Sequence, residues 1–183
     1  MIFTRTKLAG AWVVELERHE DERGCFARTW CAKEAEAHGL EAQFVQSSLS
    51  FNKKRGTLRG MHFQVNPAAE VKLVRCTRGA IFDVMIDLRP KSETFLQWEA
   101  VELTEDNGKA LYIPKGYAHG FQTLQDETEV YYQMSAFYAP DLARGVRWND
   151  PAFEIVWPEA VGAIAPRDRQ YPDFSRTICE SFQ

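Results

Sequence analysis

Gly108-Lys109-Ala110-Leu111-Tyr112-Ile113-Pro114-Lys115-Gly116-Tyr117-Ala118-His119 decides the fold. A four-residue apolar run is closed by Pro-Lys-Gly, in which proline presets φ and glycine supplies a positive φ. The chain then re-enters an apolar segment carrying a histidine. That is a strand, a tight turn and a second strand. The same grammar extends outward in both directions. Short β-type runs lie at 11–16, 72–76, 80–87, 98–103, 110–113, 120–124 and 129–135. Thr77-Arg78-Gly79 and Asp106-Asn107-Gly108 separate them as turns. Strands this short and this regularly spaced predict an antiparallel sandwich or barrel. Residues 29–39 break the pattern with good helix formers ending on Gly39, which predicts one short N-terminal helix. Beyond Trp148, four prolines (Pro151, Pro158, Pro166 and Pro172) predict loops and short helices wrapped around the barrel. No repeat or linker divides the chain, so residues 1–183 read as a single domain.

Composition narrows the function classes. A net charge of −4, from 22 Lys+Arg against 26 Asp+Glu, does not suit a nucleic-acid coat, although a few arginines suffice for a small anion. No apolar run is long enough for a membrane span, and the N-terminus lacks the pattern of a signal peptide. Cys25, Cys31, Cys76 and Cys179 show no paired spacing and read as free thiols of a reducing, cytoplasmic setting. Aromatics at 13% serve equally as barrel filling or as stacking surface at a ligand mouth.

Of the four histidines, His19 lies in a charged run and His38 ends the predicted helix, so solvation and carbonyl contacts account for them. His62 and His119 are embedded among apolar and aromatic residues after glycine-containing turns. The spacing G-x5-P-x-G-x2-H from Gly108 to His119 is that of the second half of the cupin signature. The first half ordinarily reads His-x-His, and here it reads His62-Phe63-Gln64. Metals that prefer imidazole need several converging histidines, so the barrel signal is kept while the metal signal is poor. A histidine without metal duty is a candidate general base. It then needs an orienting carboxylate, an acid on the opposite face and a cation for developing negative charge. Lys72 on the adjoining strand, Tyr131-Tyr132 and Asp168 are available types. From the residues alone they read more readily as a solvated lysine, packed aromatics and a turn aspartate.

Over nearly its whole length the chain resembles the dTDP-4-dehydrorhamnose 3,5-epimerase family. The matching stretches are Asp21-Glu22-Arg23-Gly24, Leu58-Arg59-Gly60-Met61-His62-Phe63-Gln64, Lys72-Leu73-Val74-Arg75-Cys76 and Gly79-Ala80-Ile81-Phe82-Asp83-Val84. They continue through Asp87-Leu88-Arg89, Ile113 to Phe121, and Trp148-Asn149-Asp150-Pro151. The resemblance implies a homodimer of cupin-like jelly-roll barrels, with no metal and no organic cofactor, acting on a nucleotide-linked 4-keto-6-deoxy sugar. It implies that His62 removes the proton at C3 or C5 and that Asp168 holds its imidazole. It further implies that Lys72 stabilises the enolate oxygen and Tyr132 returns a proton from the opposite face. Arg23, Arg59, Gln46, Ser48, His119, Tyr138 and Arg167 fall at substrate-binding positions, with Tyr138 as the aromatic that stacks on the base.

The chain departs from the family pattern where contacts to nucleotide and sugar are expected. Gln46-Ser47-Ser48 stands for Gln-Asp-Asn, Arg28 and Ala143 replace acidic residues, and Arg167 replaces a lysine. These changes leave open a CDP- or GDP-linked sugar, and a single-centre epimerase or ketoisomerase with the same base. A metal-dependent cupin and a non-catalytic sugar-binding barrel stand as further readings.

Overall fold

The computed structural model describes residues 1–182. Its strands are β1 (Ile2–Arg5), β2 (Trp12–Glu15), β3 (His19–Asp21), β4 (Gly24–Phe26), β5 (Gln46–Asn52), β6 (Leu58–Gln64), β7 (Lys72–Arg78), β8 (Ala80–Asp87), β9 (Trp98–Thr104), β10 (Ala110–Ile113), β11 (Tyr117–Thr123), β12 (Thr128–Met134) and β13 (Ala143–Gly145). The helices are α1 (Ala32–Ala37) and α2 (Pro166–Arg169). Two antiparallel sheets face one another in a mainly β, cupin-like architecture. One runs β1-β2-β10-β7-β12-β5 and the other β13-β6-β11-β8-β9, while β3 and β4 form a separate hairpin.

Between the sheets, Val74, Cys76, Leu111, Ile113 and Val130 of the first meet Ile81, Met85, Leu103, Tyr117 and Phe121 of the second. Period-two alternation puts these side chains on the inner faces. The outer faces are also covered. Trp30, Leu40 and Phe44 around α1 pack on Trp12, Leu73 and Tyr112. Phe153, Ile155, Trp157 and Phe174 of the C-terminal segment pack on Met61, Phe63, Val84 and Ile86. Burial on both faces explains why β8 is apolar on both sides of the strand, interrupted by Asp83, rather than alternating. Each large apolar side chain so buried contributes roughly 1.5–3 kcal/mol of transfer free energy, enough to dock the C-terminal segment firmly.

The strands expected at 80–87 and 110–113 are observed with those bounds, and the others agree within a few residues. The helix is shorter than expected. Cys31 is still extended, at φ −145° and ψ 112°, and Gly39, at φ 72°, stops the helix as its sequence position suggests. Neither β5 nor β6 is among the expected strands, and β5 has a physical reason for it. Its less exposed side chains, Gln46, Ser48 and Ser50, are polar and line a cavity, while the apolar Leu49 and Phe51 are the exposed ones and also border it. That inverts the pattern by which half-buried strands are recognised. Lys72 also departs from expectation: β7 belongs to the sheet facing β6, not to an adjoining strand.

Glycine is required where β6 and β11 cross. A Cβ on Gly60, at φ 132°, would lie 2.5 Å from Gly120 Cα, and one on Gly120 would lie 2.7 Å from Arg59 O. This contact coincides with a register irregularity between His119 and Phe121, and it lets His62 pair directly opposite His119.

Candidate active site

The open end between the sheets is a cavity of about 840 Å³, within the range of sites that enclose a sizeable small molecule. His62, Lys72, Tyr132 and Asp168 line it, with Gln46, Ser48, Arg59, His119, Tyr138 and Arg167. His62 comes from β6 and His119 from β11, both in the five-stranded sheet. Lys72 and Tyr132 come from β7 and β12 of the facing sheet.

Asp168 is delivered by the C-terminal segment. Leu58 N–H donates to Ala163 O at 2.8 Å, and Leu58 forms a parallel bridge with Ile164. The segment thus runs beside the start of β6 before turning into α2. Asp168 Oδ1 lies 2.7 Å from His62 Nε2, and its Oδ2 accepts from Gly60 N–H at 3.2 Å. Burial opposes ionisation of Asp168. The His62 contact, the Gly60 amide and the Arg167 cation outweigh it and hold the carboxyl below its usual range. An ionised Asp168 is served by a protonated Nε2, which leaves the lone pair of His62 on Nδ1. Arg167 Nη2 lies 3.3 Å from the same Nε2, so it acts there as a nearby charge, not as a second donor to that nitrogen. Burial chiefly depresses the His62 pKa below its ordinary value; Asp168 opposes this, and the Lys72 and Arg167 charges reinforce it. The imidazole is therefore neutral at neutral pH, the form a base requires.

Opposite it, Lys72 Nζ is held 2.9 Å from Glu70 Oε1 and 3.3 Å from His62 O. His119 Nε2 lies 2.7 Å from Asp83 Oδ1 beneath the cavity floor, and burial raises the Asp83 pKa. Arg59 Nε donates to Asn52 Oδ1 at 2.7 Å. Gln46 Oε1 accepts from the Tyr138 N–H at 2.9 Å, so that side chain fixes the loop bearing the exposed Tyr138 ring. Gln64 is spent on the backbone: its amide nitrogen donates to Ala68 O and Phe137 O, and its oxygen accepts from Ala139 N–H. The residue that replaces a potential metal ligand thus braces a loop.

Arg23 lies apart from this group. It sits at the tip of the β3–β4 hairpin, exposed, bonded to Asp21, and is not among the residues lining the cavity of its own chain. Arg28 is likewise exposed and paired with Glu34, whereas Ala143 does line the cavity. Three residues were assigned no role from sequence. Asp83 was legible as an acid in the inward register of an apolar strand. Glu70 precedes Lys72 by two, which puts both on one side of an extended segment. Tyr171 packs its ring on Gly145 and lies edge-on to His62, with centroids 6.3 Å apart; nothing in its local sequence marks it.

Comparison with known proteins identifies the family. Residues 5–176 match the family model described as dTDP-4-dehydrorhamnose 3,5-epimerase. The chain is 44% identical over 172 residues to the dTDP-4-dehydrorhamnose 3,5-epimerase of Methanothermobacter thermautotrophicus, covering 92% of each protein. Its fold is similar to the crystal structure of the Bacillus anthracis dTDP-4-dehydrorhamnose 3,5-epimerase with TDP and PPi bound: the TM-score is 0.91 at 39% identity, covering 94% of this chain and 99% of that one. It is also similar to a 3'-monoepimerase from Streptomyces bikiniensis in complex with dTDP-quinovose: the TM-score is 0.85 at 31% identity, covering 93% and 86%.

Proposed function

Because the chain belongs to the dTDP-4-dehydrorhamnose 3,5-epimerase family, we propose that it converts dTDP-4-dehydro-6-deoxyglucose to dTDP-4-dehydrorhamnose, inverting C3 and C5 without a cofactor. One observation carries the reading. A histidine backed by a buried aspartate and a tyrosine line one cavity from opposite sheets, so a sugar ring between them presents a different face to each.

In this account His62 Nδ1 takes the proton from the carbon beside the C4 ketone. The electron pair moves onto the ketone oxygen, and the Lys72 ammonium stabilises the enolate. That charge exists only after proton loss, so Lys72 favours the transition state over bound substrate. Tyr132 gives its phenolic proton to the opposite face and is reprotonated from solvent; His62 releases the proton it took. Asp168 holds His62 in the tautomer with Nδ1 free and offsets the imidazolium while it lasts. Arg59 and Arg167 supply planar forks for phosphate oxygens, Gln46 and Ser48 polar contacts, and Tyr138 a face for the base. His119 contacts the substrate from the floor.

The homodimer belongs to the same proposal. Arg23 serves a nucleotide-sugar site if the exposed hairpin, which also carries the exposed Phe26, reaches a second copy's cavity. The whole chain acts as one epimerase domain in the cytoplasm. Four free cysteines agree with that compartment, and among the described residues no helix is long and apolar enough to cross a membrane. A single-centre epimerase is the second reading, favoured by the likeness to the 3'-monoepimerase.

Proton NMR of dTDP-4-keto-6-deoxyglucose incubated with the protein in D2O tests the reading. Deuterium at both C3 and C5 is expected. Label at one carbon establishes the single-centre reaction, and nucleotide binding without label overturns the enzyme reading. Faster turnover of a CDP- or GDP-linked sugar would reassign the base.

A further inference from the structure

Lys72 is useful to an enolate only if its ammonium is aimed, yet it is a point charge on a flexible four-carbon stem. Two of its three donors are already committed, one to Glu70 Oε1 at 2.9 Å and one to His62 O at 3.3 Å. Tetrahedral geometry then fixes the direction of the third, and both side chains of the ion pair line the cavity. Glu70 lies on the connection between β6 and β7, and its side chain is only 6% exposed. Its second oxygen, Oε2, is buried with no hydrogen-bond partner.

That orphan oxygen bears on what the carboxylate is for. A buried ion pair is weak evidence for stability, because desolvation consumes much of the Coulombic gain, and an unsatisfied buried acceptor worsens the balance. Asp83 Oδ2 of the closed His119 pair is unpartnered too, so what sets Glu70 apart is its place: it lines the cavity and spends its one hydrogen-bonded oxygen on Lys72. We infer that Glu70 is a positioning residue: it anchors the Lys72 ammonium against the β6 backbone so that the remaining N–H meets the enolate oxygen. The inference rests on the epimerase reading and extends it to a residue outside the proton-transfer set. Glu70 touches no reacting atom; it acts through Lys72.

The test compares wild type, Glu70→Gln and Glu70→Asp by steady-state kinetics and deuterium wash-in with dTDP-4-keto-6-deoxyglucose, alongside thermal melts. A misaimed stabiliser of the enolate lowers kcat, by roughly 10- to 100-fold for a displacement near 1 Å. KM should stay within about threefold, because the lost interaction forms only after proton removal. A second readout uses Lys72→Ala supplemented with ethylammonium. The inference predicts saturable recovery of kcat, and a half-saturating concentration at least about tenfold higher when Glu70→Gln is added, since the seat for the cation is then gone. If Glu70→Gln fails to fold, Glu70→Asp gives the kcat readout, its carboxylate withdrawn by one methylene. Unchanged kcat in the folded Glu70 variants, or a lower melting temperature with kcat preserved, overturns the inference. Absence of label with wild type would instead overturn the epimerase reading itself, so the two failures are distinguishable.

Discussion

Two histidine–aspartate pairs stand side by side in this protein, and their difference separates chemistry from scaffolding. His62 and His119 are register partners on β6 and β11, and each places Nε2 2.7 Å from a carboxylate oxygen. The His119 pair is closed in: its side chains are 11% and 0% exposed, and both residues sit on adjacent strands of one sheet. The His62 side chain is 32% exposed to the cavity, and its aspartate arrives from 106 residues away on the C-terminal segment. A proton acceptor must be reachable, and its partner must hold it without burying it. Only the His62 pair combines those properties.

Substitutions at these pairs and their neighbours can break that distinction. Among the supporting groups, Asp168 should matter most. Asp168→Asn keeps the shape but loses the charge that selects the tautomer, and kcat should fall roughly 10³-fold, within the span of general-base contributions, with dTDP affinity unchanged by calorimetry. Tyr132→Phe removes the acid on the opposite sheet and should cost about 10²-fold in product formation. Asp83→Ala should be felt mainly as stability. An unsatisfied His119 N–H costs about 1–3 kcal/mol, which a thermal melt reads as a loss of several degrees. An equal melting temperature with kcat abolished would instead mean that the buried pair is the reactive one. Arg167→Gln should raise KM through the lost phosphate fork, and its effect on the pH profile, the smallest shift here, has a defined sign. His62 must be neutral to accept a proton, so activity is lost as pH falls through its pKa. The Arg167 cation helps keep that pKa below the ordinary histidine value. Without it, the acid limb of kcat/KM against pH should move to higher pH.

The strands with alternating or continuous apolar runs were legible in sequence because their inner faces meet other apolar side chains. β5 was not, because its inner face meets a cavity and carries Gln46, Ser48 and Ser50. The histidine and the poor metal signal at Gln64 were legible from spacing alone. The convergence of Asp168, Lys72 and Tyr132 on His62 was not, since it depends on two sheets and a C-terminal segment meeting; only the family resemblance named them. Glu70 and Asp83 show the limit from the other side. Their spacing was readable, yet what they hold became visible only when the partners were in place.

The claim that His62 removes the substrate proton is tested most directly by deuterium wash-in with His62→Ala, after its dTDP affinity has been shown to match wild type. The account predicts that label at C3 and C5 falls by roughly 10³-fold or more, toward the spontaneous rate. Label at the wild-type rate on either carbon would contradict it and assign the proton to another base.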